Sequence, residues 1–109
     1  MLALLGLIST ALAGPWPELE PFERGHSFDR DDYAVIVGVT DYYRLPDVPR
    51  AADTGRAWQR WFLAQGMPAS HVTVLENEFA TRESILRTAR EAGERTSREG
   101  QVWMVYVGH

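Results

Sequence analysis

Two uninterrupted apolar runs of strand length, residues 33–39 (Tyr-Ala-Val-Ile-Val-Gly-Val) and residues 102–107 (Val-Trp-Met-Val-Tyr-Val), constrain this chain more than any other feature. A strand with one wet face alternates apolar and polar side chains. A strand buried on both faces does not, and continuous runs of this kind belong to parallel sheets covered by helices. Between the runs lie two segments of helical period. In residues 51–65, Ala51, Thr54, Gly55, Trp58, Trp61 and Phe62 share one face, and Gly66 followed by Pro68 supplies a stop. Residues 71–75 (His-Val-Thr-Val-Leu) read as a short second strand. Thr81 is placed to cap a second helix, with Glu83 in its first turn and Ile85, Leu86, Ala89 and Ala92 as its apolar stripe; Gly100 lies beyond its end.

Strand, helix, strand, helix, strand, joined by right-handed crossovers, predicts an α/β fold with a parallel sheet of order 2-1-3 and helices on both faces. Doubly wound sheets commonly carry about five or six strands, so three strands and two helices predict a partial three-layer α/β/α sandwich. Its third strand would be an exposed apolar edge of the kind native proteins avoid. A carboxyl-terminal half outside these residues, or an edge-strand partner, is therefore expected on that side.

With 109 residues the chain holds at most one domain, and 45% hydrophobic content is enough for a core. The net charge of −4, and eleven basic residues that are all Arg and scattered, argue against a nucleic-acid partner. Residues 1–13 carry no ionisable side chain, are too short to span a bilayer and end in Ala11-Leu12-Ala13 before Gly14-Pro15. They read as an export signal cleaved after Ala13, although the α-amino group is the only positive charge ahead of the apolar run. Residues 14–32, rich in Pro and acidic side chains, read as an extended linker, and residues 33–109 as the folded unit. The expected location is secreted or periplasmic, with no membrane association after cleavage. The chain has no cysteine, hence neither a disulfide nor a thiol nucleophile of its own.

The candidate for chemistry is His109, two residues past the third strand, because in open α/β sheets the crevice beyond the strands' carboxyl ends holds the ligand. His26 and His71 have no companions at ligand spacing, so no metal site is expected. Residues 38–41 lack the spaced glycines of a nucleotide loop, and no cofactor is expected.

Several pieces in order resemble the caspase-like cysteine peptidases, the superfamily that includes metacaspases and many bacterial relatives. They are the run at 33–39 with Tyr42 after it, Leu45 through Ala51-Ala52-Asp53, Gly66-Met67-Pro68 before Val72-Thr73-Val74-Leu75, Ala80-Thr81, and Val105-Tyr106-Val107-Gly108-His109. The resemblance covers about residues 33 to 109 and places them in the amino-terminal, larger-subunit part of the catalytic domain. It implies that His109 matches the histidine of a Cys-His dyad performing acyl transfer on a peptide bond. A glycine following that histidine helps form the oxyanion hole, and the cysteine falls roughly 50 residues downstream. The resemblance also sets Asp53 where metacaspases have an acidic residue lining the pocket for a basic P1 side chain. Classical caspases instead use arginine from the loop after the first strand; Arg44 and Arg50 lie there, and neither aligns securely.

Plainer readings stand beside these. Asp53 in the first turn of a helix interacts favourably with the dipole and is within reach of Arg56 or Arg60. Trp58, Trp61 and Phe62 are most simply core residues. The leading expectation is the amino-terminal part of an exported bacterial caspase-like endopeptidase acting on a peptide or protein substrate, inactive alone for want of its thiol. The other, from a different class, is a noncatalytic caspase-like module docking a partner along its exposed edge strand.

Overall fold

The computed structural model describes residues 31–109; the leader expected at 1–13 and all but the last two residues of the linker expected at 14–32 lie outside the described residues. Five elements follow in order: β1 (Tyr33–Gly38), α1 (Ala51–Ala64), β2 (Val72–Glu76), α2 (Arg82–Arg95) and β3 (Val102–Val107), with single 3-10 turns at Ala69–His71 and Asn77–Phe79 flanking β2. The strands form one parallel sheet of order β2-β1-β3. The α/β class, the parallel pairing and the 2-1-3 order are those expected from the apolar runs. In register, Ala34 sits between Val72 and Trp103, and Ile36 between Val74 and Val105.

Alternation along the strands assigns the two faces. One carries Ala34, Ile36, Val72, Val74, Trp103 and Val105, and α1 packs on it through Phe62, Trp58 and Trp61. The helix lies close to β1 because glycines meet there: a Cβ on Gly38 would stand 2.9 Å from the Ala51 carbonyl oxygen and 3.0 Å from the Ala52 Cα. On the other face Val35 and Thr73 border a small cleft with Thr88, Ala92 and Arg95 of α2. β1 is covered on both sides and Ala34, Val35, Ile36 and Val37 are all buried.

The ends of α1 show how sequence sets the boundaries. At its carboxyl end the Gly66 N–H donates to Leu63 O (3.0 Å) and the Met67 N–H to Phe62 O (3.1 Å), with Gly66 at φ 101°. This is a Schellman turn, and the Met67 and Phe62 side chains that flank it both belong to the core. Helix α1 therefore stops at Ala64, and Pro68 opens the turn whose closing bond, His71 N–H to Pro68 O (2.9 Å), draws His71 out of the strand. So β2 begins at Val72, one residue later than the alternation suggested.

At the start of α2 the Thr81 Oγ1 accepts from the Ser84 N–H at 3.1 Å, and Glu83 occupies the first turn as expected. Thr81→Ala is expected to cost about 1 kcal/mol and lower Tm by roughly 4–8 °C in a thermal melt followed by circular dichroism. The apolar stripe of α2 is narrower than its spacing suggested: Ala92 is buried, and Leu86 is 49% exposed.

Two expectations need correction. The run at 102–107 does not make a strand buried on both faces: among the described residues β3 pairs with β1 alone, the edge place that the 2-1-3 order gives it, and Met104 and Tyr106 are 51% and 53% exposed. Both helices pack mainly over central β1, so the apolar character of β3 serves an edge. Asp32, counted with the linker, belongs to the folded unit; it is buried, and its Oδ1 accepts from the Gln101 N–H at 2.6 Å, joining the start of β1 to the start of β3.

A carboxyl-edge crevice with an imidazole

Thr40 anchors the edge where the strands end. β1 extends its pairing by one bond, Val39 N–H to Val107 O at 2.9 Å, and the chain then turns away from the sheet. The Thr40 N–H donates to Asn77 Oδ1 (2.9 Å), which also accepts from the Asp41 N–H (3.2 Å). Asn77 can aim its side chain this way because it takes the left-handed conformation, φ 45°, open to Asn at low cost. Thr40 Oγ1 accepts from the Ala52 N–H at 3.0 Å, supplying from the far end of the preceding loop the cap that Arg50 does not give to α1. Thr40 O accepts from the Val48 N–H at 2.8 Å, closing the loop between β1 and α1. One residue thus ties together the end of β1, the end of β2 and the start of α1.

That loop carries the partner of His109. The imidazole Nε2 lies 2.9 Å from the Pro46 carbonyl oxygen. A carbonyl only accepts, so in the neutral ring Nε2 carries the hydrogen and Nδ1 keeps its lone pair. The Tyr42 ring meets the imidazole edge-on, centroids 5.2 Å apart at 73°. The phenols of Tyr42 and Tyr106 reach the main-chain groups of His109. The side is open to solvent, and His109 is exposed. An imidazole with one nitrogen tethered and the other free can accept and return a proton in a defined direction.

The second histidine among the described residues is set the other way. His71 stacks on Tyr33 (4.1 Å, 13°), and its Nδ1 lies 3.0 Å from the Asp32 carbonyl oxygen. By the same argument its neutral form carries the hydrogen on Nδ1. Long-range 1H–15N correlation spectra above the histidine titration range are expected to show His71 and His109 in opposite tautomers; the same tautomer at both sites would contradict the geometry.

Asp53 lies in the first turn of α1, as expected, and its carboxylate pairs with Arg56. Arg56 also holds both oxygens of Glu76 at the end of β2, at 2.9 and 2.8 Å. The hydrogen bond that Arg56 donates to Asp53, and then the charge of Glu76, raise the Arg56 pKa above its ordinary value. The plainer reading of Asp53, a helical carboxylate paired with Arg56, thus describes its contacts. This ion-paired group ties α1 to the end of β2, whereas His109 follows β3, and central β1 lies between those strands; the fold does not draw the two expected site residues into one contact. Arg50 enters α1 at φ 65°. Among the described residues no three His, Cys, Asp or Glu side chains are grouped to hold a metal ion, and no helix is long and apolar enough to cross a membrane.

Sequence reasoning missed three participants. Tyr106 reads in the sequence only as part of an apolar strand, Pro46 contributes a main-chain oxygen that no side-chain pattern reports, and Asn77 works through its left-handed backbone. Tyr42 stands out in the sequence only by its place after the first strand.

Compared with models of protein families, with curated proteins and with solved structures, the chain finds no match. Fold and site together define a parallel α/β sheet whose third strand delivers a histidine to the carboxyl edge, tethered there by the loop that follows the first strand.

Proposed function

We propose that this chain is the histidine-bearing, amino-terminal part of a caspase-like cysteine endopeptidase, exported by its leader, with His109 as the group that moves protons for a thiol supplied by a segment outside these 109 residues. The observation that carries the reading is the tether of Nε2 to Pro46 O, which leaves Nδ1 as the basic nitrogen at the sheet's open edge. A thiol there would lose its proton to Nδ1, the thiolate would attack the scissile carbonyl, and the imidazolium would return the proton to the departing amine. Each transfer is conservative: one S–C bond forms, one C–N bond breaks, and water later releases the acyl group.

Substrate preference rests on the Asp53 region. In this reading a basic P1 side chain competes with Arg56 for the Asp53 carboxylate, and both partners stand at the surface, where exchange costs little. The deciding experiment is to sequence the coding region past the His109 codon, express the longer product and treat it with thiol-directed peptidyl probes bearing Arg or Asp at P1. A glycine codon next, a cysteine about 50 codons on and His109-dependent labelling are the expected results. No cysteine codon in any frame, and no labelling, would remove the reading.

A second reading has its own observation. Among the described residues β3 is the edge strand of the sheet, and it runs beside an open apolar groove of about 650 Å³ lined by Trp58, Trp61, Phe62 and Trp103. A noncatalytic module would add a partner's strand there. Size-exclusion chromatography separates the alternatives, since a well-folded monomer that stays monomeric with its partner fraction counts against docking by this edge.

A further inference from the structure

We propose that Tyr42 and Tyr106 are positioning residues that close a directed ring of three hydrogen bonds around the backbone of His109 and so hold its imidazole on Pro46. The consequence for proton transfer rests on the function proposed above; the ring itself is read from geometry alone.

The direction of each bond follows from what its atoms can do. The Tyr106 hydroxyl lies 2.6 Å from the main-chain oxygen of His109, which can only accept, so the single Tyr106 proton is committed there. The His109 N–H donates to the Tyr42 hydroxyl oxygen at 2.7 Å. The two hydroxyl oxygens stand 3.2 Å apart. Since Tyr106 has no second proton to give, Tyr42 is the donor. Each phenol gives once and takes once, and both main-chain groups of His109 are engaged.

The ring joins two pieces of chain that are remote in sequence. Tyr42 and Pro46 share the loop after β1, and the Tyr42 N–H donates to Asp47 Oδ1 at 3.1 Å, fixing their spacing. Tyr106 and His109 belong to β3 and its continuation. The loop therefore grips His109 at its N–H through Tyr42, at its ring edge through the same phenol, and at Nε2 through Pro46 O. Gly108 makes this approach possible, because a Cβ there would collide with the Tyr42 hydroxyl and stand 3.3 Å from that of Tyr106. Its φ of 156° is a second reason for glycine. A tyrosine hydroxyl ordinarily keeps its proton at neutral pH, so the ring stays closed there.

The test reads imidazole nitrogen shifts in 15N-labelled protein. Wild type is expected to hold neutral His109 mainly as the Nε2–H tautomer. Tyr42→Phe keeps the ring contact and removes both hydroxyl bonds, and is expected to lower the ratio of Nε2–H to Nδ1–H at least about threefold. Tyr106→Phe opens the ring at one bond and is expected to move the ratio the same way by less; Gly108→Ala, which excludes the phenol, should act like Tyr42→Phe. His71 in every variant, and His109 in Tyr43→Phe at an exposed position, should not move. A purely structural role would lower stability and leave the ratio of the folded protein unchanged. If Tyr42→Phe does not fold, Tyr106→Phe decides alone. An unchanged ratio in the folded tyrosine variants overturns the proposal. Because no turnover is read, that result is distinguishable from failure of the peptidase reading, which rests on thiol labelling.

Discussion

In the proposed peptidase, with its thiol supplied by the longer product, replacing His109 by alanine is expected to lower peptide hydrolysis by about a thousandfold or more, with folding left intact. The size follows from the role. Without an imidazole the thiol keeps its proton near neutral pH and the leaving amine departs unprotonated, so both steps lose their assistance. The stability effect should be small, because the side chain is exposed and its one polar contact is to a surface carbonyl. Steady-state kinetics should show the loss in kcat with KM little changed, since the imidazole acts on the reacting atoms. A His109→Ala enzyme retaining more than a tenth of wild-type kcat would remove His109 from the chemistry.

The largest stability effect is expected at Phe62. Its side chain is 1% exposed, packs with Ala34, Ile36, Met67 and Val72, and meets the rings of Trp61 (5.2 Å), Trp103 (6.1 Å) and Trp58 (6.2 Å). Phe62→Ala removes the group that joins α1 to all three strands and is expected to cost about 3–5 kcal/mol in urea denaturation. Small domains are stable by about 5–15 kcal/mol, so the variant should lose a large share of its stability and unfold at a clearly lower urea concentration. Phe62→Leu, which restores much of the volume, should lose far less. Leu63→Ala, at a position 38% exposed on the same helix, should fall within about half a kcal/mol of wild type. Equal losses at positions 62 and 63 would contradict the packing.

The fold was legible where one local signal dominated. The continuous run at 33–39 could be satisfied only with helices on both sides, and β1 is buried on both. Gly66 and Thr81 marked helix ends because each has one inexpensive conformation or bond to offer there. Legibility failed where an outcome depended on neighbours. The 2-1-3 order placed the run at 102–107 at the edge as expected, but its apolar character alone read as burial on both faces, and Met104 and Tyr106 are half exposed, because burial of a strand is decided by what stands beside it. Leu86 fits the helical stripe by spacing, but the face that α2 presents is set by its packing on the sheet.

The candidate site divides in the same way. His109 could be singled out from its place after a strand, and Asp53 from its place in a helix turn. Their partners could not. Pro46 acts through a carbonyl, Tyr42 and Tyr106 through a pairing that spans most of the folded unit, and Arg56 answers to Glu76 across α1 and β2 as well as to its own neighbour.

The position of β1 between its two neighbours has a kinetic consequence. β1 and β3 pair across about 70 intervening residues, whereas β1 and β2 are separated by about half that distance. On a translating ribosome the β1–α1–β2 unit can therefore dock while the opposite flank of the central strand is still bare. The tether around the histidine can form only once β3 has emerged, so before that the apolar β1 is covered on one flank and adhesive on the other.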